Sequence, residues 1–548
     1  MHERWYKQAV IYCLDVETFQ DSNGDGVGDL AGLTSRLDYL ARLGVTCIWL
    51  NPIHPGPNKD DGYDVADFYG VDPRLGSLGD FAEFVHQAGN RGLRVIIDLV
   101  VNHTSNEHPW FKAACADPNS PYRDWYVWSK DEPSDRFQGM VFPGVQHETW
   151  TWNDEAGAWY YHRFYEHQPD LNMANPDVRA EVRKIMAFWL QLGVSGFRMD
   201  AAPFIIERTR PNEPKSPMEF DWLREFRELL SWRKGDAMIL AEANAEKEEL
   251  VEYFGPTGDR LPMLFNFLLN QRQFLALARG DATPIVSALE AAPPIPDSCQ
   301  WATFLRNHDE IDLGRLSEKE RADCFAAFGP DESMQLYGRG IRRRLAPMLG
   351  NDRRRIELAY SLQFTLPGTP VIRYGEEIGM GDNLSLKERD AIRTPMQWNA
   401  GPNAGYSTAK KKSDLHRPVI TGGDFGYETV NVEAQRCDPG SLVHWMEQML
   451  HTLRECPEFG VGKCTPVDTG DAAVLAIHYD APGGAMLAVH NLSDKKRTVD
   501  LGEQPGQEGD PFEMFADRDY DPLGPELKAV ELAGYGYRWI RLRETPGR

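Results

Sequence analysis

Three carboxylates, two histidines and an arginine fall at comparable places in the chain, each at or just past the end of a short apolar run. The runs are Leu93–Asn102, followed by His103; Ser195–Asp200, which contains Arg198; Met238–Glu242; and Trp301–Arg306, followed by His308 and Asp309. A lone aspartate in such a place is usually a helix cap, and a lone histidine a hydrogen-bonded structural residue. Three acids gathered at the ends of different strands are harder to explain that way, because like charges packed together cost stability. Glycosidic bond cleavage is chemistry that uses them. One carboxylic acid protonates the leaving oxygen, and a second carboxylate attacks, or stabilises, an oxocarbenium-like carbon. Arg198 lies two residues before Asp200, on the same strand face, and would keep it ionised and aimed. Asp200 is therefore the natural nucleophile. Glu242 ends the apolar run Ala237–Ala241, where desolvation raises a carboxyl pKa and suits general acid work. Asp309 with His308 would grip sugar hydroxyls and favour a distorted ring.

Such residues converge only if their strands lie side by side. Eight strand-like runs alternate with stretches of helical period: Ala9–Leu14, Val45–Asn51, Leu93–Asn102, Ser195–Asp200, Met238–Glu242, Met263–Phe267, Trp301–Arg306 and Pro370–Tyr374. Helices are expected at Leu33–Leu43, Leu78–Arg91, Asp177–Leu192, Phe220–Trp232, Lys247–Phe254 and Arg354–Phe364. The alternation predicts an α/β fold, a (β/α)8 barrel whose βα loops carry the acids. A doubly wound open sheet is the alternative, but no Gly-x-Gly-x-x-Gly follows any of these strands. Thr104–Asn172 is too long and aromatic-rich for a βα loop and reads as an inserted subdomain, 104–172. Glu310–Asn351 is a second excursion on the same rim. The barrel is expected over 1–103 and 173–460. A C-terminal antiparallel β-sandwich is expected over 461–548, with strands at Val474–His478, Ala485–His490, Arg497–Leu501 and Arg538–Leu542.

Charge narrows the partners. Against 59 Lys and Arg stand 83 Asp and Glu, a formal net charge of −24. So acidic a surface argues against nucleic acid and against an anionic membrane, and leaves neutral small molecules open. Hydrophobic residues make up 42% of the chain, enough for large cores. The eight cysteines form no Cys-x-x-Cys pair, and the first residues carry no apolar signal region. The cytoplasm is the expected compartment.

Five segments resemble the signature segments of the α-amylase family of retaining glycoside enzymes. They are Asp98-Leu-Val-Val-Asn-His103, Gln168-Pro-Asp-Leu-Asn172, Gly196-Phe-Arg-Met-Asp200, Ala241-Glu242-Ala-Asn and Leu305-Arg-Asn-His-Asp309. The resemblance implies Asp200 as nucleophile, Glu242 as acid/base and Asp309 as transition-state stabiliser. It also implies Tyr63 as a sugar platform and Asp64 as a hydroxyl contact, beside His103, Gln168, Arg198 and His308. Arg342-Arg-Arg-Leu-Ala-Pro347, Gly375-Glu-Glu-Ile-Gly-Met-Gly-Asp382 and Arg393-Thr-Pro-Met-Gln-Trp398 are similar to the branch that isomerises maltose to trehalose through a covalent glucosyl-aspartate, and they add Arg393 as a substrate contact. That branch implies a sugar substrate, no organic cofactor and a homodimer. The same residues would also serve a hydrolase or transglucosylase. Ala245-Glu-Lys, Phe265-Asn-Phe-Leu-Leu, Asn51-Pro-Ile-His-Pro and Asp15-Val-Glu17 depart from that branch's usual forms near the rim.

One or two structural calcium sites are expected. Asp21-Ser-Asn-Gly-Asp-Gly-Val-Gly-Asp29 puts oxygens at alternate positions, from Asp21, Asn23, Asp25, the Val27 carbonyl and Asp29, with glycines that allow a tight wrap. It is not an EF-hand, since the twelfth position is Gly32 rather than a glutamate. An Asx-turn-rich loop is the competing reading. The second candidate joins Asn102, Asp170 and Glu207 with the carbonyls of Phe204 and Ile205, which the family branch resembles.

Overall fold

The computed structural model describes residues 4–213, 217–482, 484–507 and 510–543. The outermost limits expected for the domains, 1 and 548, lie outside them. Eight strands close into a parallel barrel: β1 (Ile11–Leu14), β2 (Cys47–Leu50), β3 (Arg94–Leu99), β4 (Gly196–Met199), β5 (Met238–Ala241), β6 (Met263–Phe265), β7 (Gln300–Phe304) and β8 (Thr369–Arg373). Each pairs with its neighbour in sequence, and β8 returns to β1, Ile11 facing Val371 on one side and Cys47 on the other. All eight fall within or against the expected runs. Alternate residues on each strand point opposite ways. Ile11, Cys47, Trp49, Ile96, Met238, Leu240, Phe265 and Phe304 fill the interior. Tyr12, Ile48, Val95, Ile97, Phe197, Ile239 and Leu264 pack outward with the helices. Both faces are buried, which is why the strands read as continuous apolar runs.

The helices follow local signals. Leu78–Asn90 starts at a reciprocal capping box between Ser77 and Asp80 and buries Phe81, Phe84 and Ala88 on one stripe. The single helix expected at Leu33–Leu43 is two, Leu30–Ser35 and Leu37–Leu43, parted at Arg36. Asp29 caps Gly32 and starts the first one early, while the Thr34 and Ser35 hydroxyls turn back onto the Leu30 and Gly32 carbonyls and compete with the ladder. Helices Phe267–Arg279 and Thr283–Ala291, between β6 and β7, were not anticipated. The first buries its polar residues Asn270, Gln271 and Gln273 together with Leu269, Phe274, Leu275 and Ala276.

Two excursions rise from the rim. The 104–172 stretch carries helix Pro109–Ala116 and a three-stranded sheet of Trp128–Ser129, Ala158–Tyr161 and Trp150–Asn153. The 310–351 stretch carries helix Glu318–Phe328 and three two-residue strands. Beyond the barrel, β9 (Lys463–Val467), β10 (Val474–Ala481), β11 (Gly484–Asn491), β12 (Arg497–Val499), β13 (Phe512–Ala516), β14 (Val530–Leu532) and β15 (Tyr537–Arg543) form an antiparallel sheet in the order β9-β10-β11-β15-β13 and a β12-β14 pair. Period two again sorts the side chains. Val474, Ala476, Leu487, Val489, Ile540 and Leu542 face the β12-β14 pair, whereas Leu475, Ile477, Tyr479, Met486, Ala488, Tyr537 and Trp539 join the core of the barrel's outer layer. Trp539 is fully buried there, its Nε1 donating to Ser361 Oγ at 2.9 Å and its ring 5.3 Å from Phe459. Trp539→Ala should cost about 3–5 kcal/mol. A lowered unfolding midpoint with unchanged turnover per folded molecule is expected. An unmoved midpoint would show that the sheet does not brace the barrel.

Candidate active site

Strand β4 delivers the centre. Asp200 still bonds through its N–H to Leu99 O at 3.3 Å, and Ala201 next to it takes a left-handed φ of 50°. A non-glycine residue pays for that conformation, so local strain sits directly behind Asp200. Two residues earlier, Arg198 points from the barrel wall to the same place and is 1% exposed. Its Nη1 donates to Asp200 Oδ1 at 2.7 Å and approaches Asp98 Oδ2 at 3.4 Å, while its Nη2 donates to Glu242 Oε2. One planar guanidinium thus spans three acids from β3, β4 and β5, a task for a fork of donors rather than a point charge.

Asp98 closes the back of this array. It is fully buried and accepts from Trp49 Nε1 and Tyr63 Oη, each at 2.7 Å. Burial pushes its carboxyl up to about 7 in spite of Arg198. Tyr63 stacks on His308, centroids 5.6 Å apart at 9°, with Oη 2.7 Å from His308 Nε2. Burial lowers His308 to about 4, so the imidazole is neutral near pH 7. Asp309 contacts His308 Nε2 at 3.0 Å, Arg389 Nη1 at 2.8 Å and Arg393 Nη2 at 3.1 Å. Burial works against its charge, but His308 and the two arginines hold it well below the usual carboxylate range. Glu242 goes the other way. Burial first, then Asp200, Asp309 and Asp98, raise it to about 8 against the pull of Arg198. Divergent acids in one site are the pattern of a proton donor beside a carboxylate that stays charged.

These side chains face a cavity of about 300 Å3, in the size range of small-molecule sites. Asp200, Glu242, Asp309, Tyr63, His103 and His308 line it. Four expected sugar contacts do not, and one of them, Arg198, is buried and spent on Asp98, Asp200 and Glu242. Asp64 is fully buried behind the wall, its oxygens accepting from the N–H groups of Lys59 and Asp60. Arg393 lies behind Asp309, bonded to His308 O and Asp61. Gln168 donates to Asp60 Oδ2 at 2.8 Å from behind. The acid and arginine on the wall itself are Asp60 and Arg389, 3.4 Å apart. Asp60 precedes the Asp-Gly-Tyr-Asp motif by one residue, and the turn at Asp61 and Gly62 (φ 53° and 88°) aims it inward. Arg389 is the second residue of the short helix Glu388–Ile392 and Arg393 its C-cap, one turn apart, so both reach Asp309 Oδ1. Asp98 was legible only as the first letter of a motif.

The roof comes from both excursions. Val141, Phe142 and Phe164 belong to the first, and Glu310, Asp312 and Arg339 to the second. Arg339 Nη2 donates to Val141 O at 3.0 Å and joins them, while the Phe142 ring lies 5.2 Å from Tyr337. A larger groove, about 930 Å3, runs beside helices Phe267–Arg279 and Thr283–Ala291 and is lined by none of the three acids.

At the first expected metal loop, Asp21 accepts from the N–H groups of Asn23, Gly24 and Gly26 and from Ser407 Oγ. Asn23 accepts from Asp25 N, Asp25 from Val27 N, and Asp29 from Ser22 and Gly32. At the second, Asn102 and Asp170 meet where His103 bridges Asp170, and burial lifts Asp170 to about 7. Glu207 there is engaged by Arg163 Nη2 at 2.5 Å, whose guanidinium lies 4.6 Å over Phe204; Ile205 is buried alongside.

The raised pKa of Glu242 has a direct consequence. The side chain holds its proton below about pH 8 and loses it above. A step that needs that proton should show kcat/KM falling on the alkaline side with a midpoint near 8. Glu242→Gln should lower kcat/KM by about 10²–10⁴ and erase the limb. A limb that survives in the variant would belong to another group.

The chain matches the family model described as alpha amylase, catalytic domain, over residues 13–326 and 341–459, and a sucrose hydrolase-like C-terminal domain over 483–541. It is 41% identical over 558 residues to a trehalose synthase of Pimelobacter sp. (strain R48), covering 99% of this chain and 97% of that one. It is also 41% identical to a trehalose synthase/amylase of Mycolicibacterium smegmatis, covering 98% and 93%. Among solved structures, an alpha-amylase from H. orenii superposes with a TM-score of 0.79 at 28% identity, over 98% of this chain and 100% of that chain. With the acids at the strand ends of a closed eight-stranded barrel, the chain belongs to the alpha-amylase family.

Proposed function

We propose that the protein isomerises maltose to trehalose by double displacement. Asp200, held by Arg198, attacks the anomeric carbon. Glu242 hands its proton to the leaving glucose, and a glucosyl-Asp200 ester forms. Asp309 accepts hydroxyl hydrogen bonds that strengthen as the ring flattens. The freed glucose turns within the pocket, Glu242 takes the proton from its anomeric hydroxyl, and that oxygen attacks the ester to give trehalose and restore Asp200. Atoms and protons balance without an outside reactant.

The observation that carries this reading is the roof. Two separate excursions meet at the mouth of a cavity of about 300 Å3 and are joined by the Arg339–Val141 hydrogen bond, so they are placed to act as a lid that, closed over bound sugar, would hold a released glucose and keep water out. Relatives named trehalose synthase at 41% identity support it. Hydrolysis is the second reading, favoured by the relative whose name joins synthase to amylase; it is what a lid that opens during the life of the ester would yield. The test is to incubate the protein with maltose and quantify trehalose and glucose, with Asp200→Ala as blank. Trehalose well in excess of glucose is the expected result, and Arg339→Ala should shift the balance toward glucose. Glucose alone from the unaltered protein overturns the isomerase.

We also infer a structural calcium ion at loop Asp21–Asp29. Three Asp side chains, Asn23 and the Val27 carbonyl are oxygen donors of the kind calcium takes, and the Asn23 and Asp25 side chains are exposed with only one backbone N–H each. The ion would bind and stiffen the loop and supply no step of the reaction. A second ion at Asn102, Asp170 and Glu207 would have to displace Arg163, so weaker binding is proposed there. Saturating calcium at about 100 times Kd should add about 2.7 kcal/mol to stability. EDTA should remove the gain, and Asp25→Asn should blunt it. A midpoint indifferent to both overturns the metal. The eight free cysteines and the absence, among the described residues, of a helix long and apolar enough to cross a membrane fit the proposed cytoplasmic residence.

A further inference from the structure

Glu17, Asp61 and His416 bring their ligand atoms within 4.8 Å of one another, outside the cavity and behind Asp309. The set looks like a metal site, but its surroundings argue otherwise. Glu17 meets Arg417 Nη1 at 3.2 Å and Arg74 Nη1 at 3.5 Å, and Asp61 meets Arg417 Nη2 and Arg393 Nη1, each at 2.5 Å. Three guanidinium groups already neutralise two carboxyls and would repel a cation. Asp390, 3.0 Å from Arg417, and Asp72, 2.7 Å from Arg74, complete the charged shell. His416 Nε2 stands 2.9 Å from Glu17 Oε1, off the line that a hydrogen bond needs.

The contacts instead form a line toward the reacting centre. Arg393, buried, holds His308 O at 2.8 Å with Nε, Asp309 Oδ1 at 3.1 Å with Nη2, and Asp61 with Nη1. Asp61 is thus the rear anchor of the guanidinium that positions Asp309, and the anchor is itself set between Arg417 and Glu17. Glu17 is held at its backbone, where its carbonyl accepts from Gly28 N and Tyr406 Oη. We propose that Glu17 is a positioning residue for the reaction, fixing Asp309 by way of Asp61 and Arg393 from outside the cavity. A glutamine at position 17 keeps the length, an oxygen for Arg417 and a neutral donor toward Asp61, so it should serve there. Glu17 belongs to one of the segments that depart from the family branch's usual form, so this chain's own sequence supplies the brace.

The proposal rests on the role of Asp309 given above, and the test separates the two. Release of nitrophenol from p-nitrophenyl α-D-glucopyranoside is measured for Glu17→Ala, Glu17→Gln, Arg417→Lys, Arg393→Lys, Asp309→Asn and the double variant Glu17→Ala/Arg393→Lys. Glu17→Ala should lower kcat about tenfold with KM within about twofold, while Glu17→Gln retains most of the turnover. Arg417→Lys, which keeps the charge but not the two-pronged grip, should lower kcat as well and serves if Glu17→Ala does not fold. The double variant should be no slower than Arg393→Lys alone, because one line of contacts is cut once. Unchanged kcat in folded Glu17→Ala, or multiplicative losses in the double variant, overturns the proposal while Asp309→Asn is still inactive. An active Asp309→Asn overturns the role of Asp309 and the proposal together.

Discussion

One buried guanidinium organises this molecule. Arg198 lies in the barrel wall among Asp98, Asp200 and Glu242, where three bare carboxylates would repel one another strongly. Breaking such an array by removing its cation costs far more than a surface pair would. The rest of the site is arranged so that this arginine is never without partners: Asp98 is locked from behind by Trp49 and Tyr63, and Tyr63 is stacked on His308. The barrel supplies what the array needs, three neighbouring strands in register, β3, β4 and β5, ending at the same height.

Charge is then divided rather than shared. Asp309 has three cationic or proton-bearing neighbours and stays ionised, whereas Glu242 shares one arginine with two other acids and holds its proton to about pH 8. Two carboxyl groups facing one cavity acquire opposite tasks from their partners alone. Behind Asp309 the same logic runs outward through Arg393, Asp61, Arg417 and Glu17, a chain of alternating charges in the packed wall. Two loops, distant in sequence, cross-bond at the mouth of the cavity through Arg339 and Val141.

Much of this was legible in the residue order. Eight apolar runs with an intervening helical period specify the barrel, since a parallel sheet buried on both faces leaves few other ways to place such runs. The acids at their ends, Arg198 two residues before Asp200, and His308 beside Asp309 follow from strand periodicity alone. Val474–Ala481 and Gly484–Asn491 are legible as short apolar runs, buried on both faces. Helix Phe267–Arg279 is harder to read, because its polar residues Asn270, Gln271 and Gln273 are buried along with the apolar ones.

Direction, by contrast, belonged to tertiary structure. Asp60 and Asp64 are both acids beside Tyr63, and Arg389 and Arg393 are both arginines near Asp309, yet one of each faces the cavity and the other faces the wall. A turn with two positive φ angles and a single turn of helix make those choices, and neither leaves a periodic trace in the chain. The roof bond from Arg339 to Val141 and the contact of Glu17 with Asp61 join residues 198 and 44 positions apart, brought together only when the barrel closes. Residue types and local period determined the fold and which groups could do chemistry; closure of the barrel decided which of them touch the cavity, because that depends on where each side chain points after distant segments have packed.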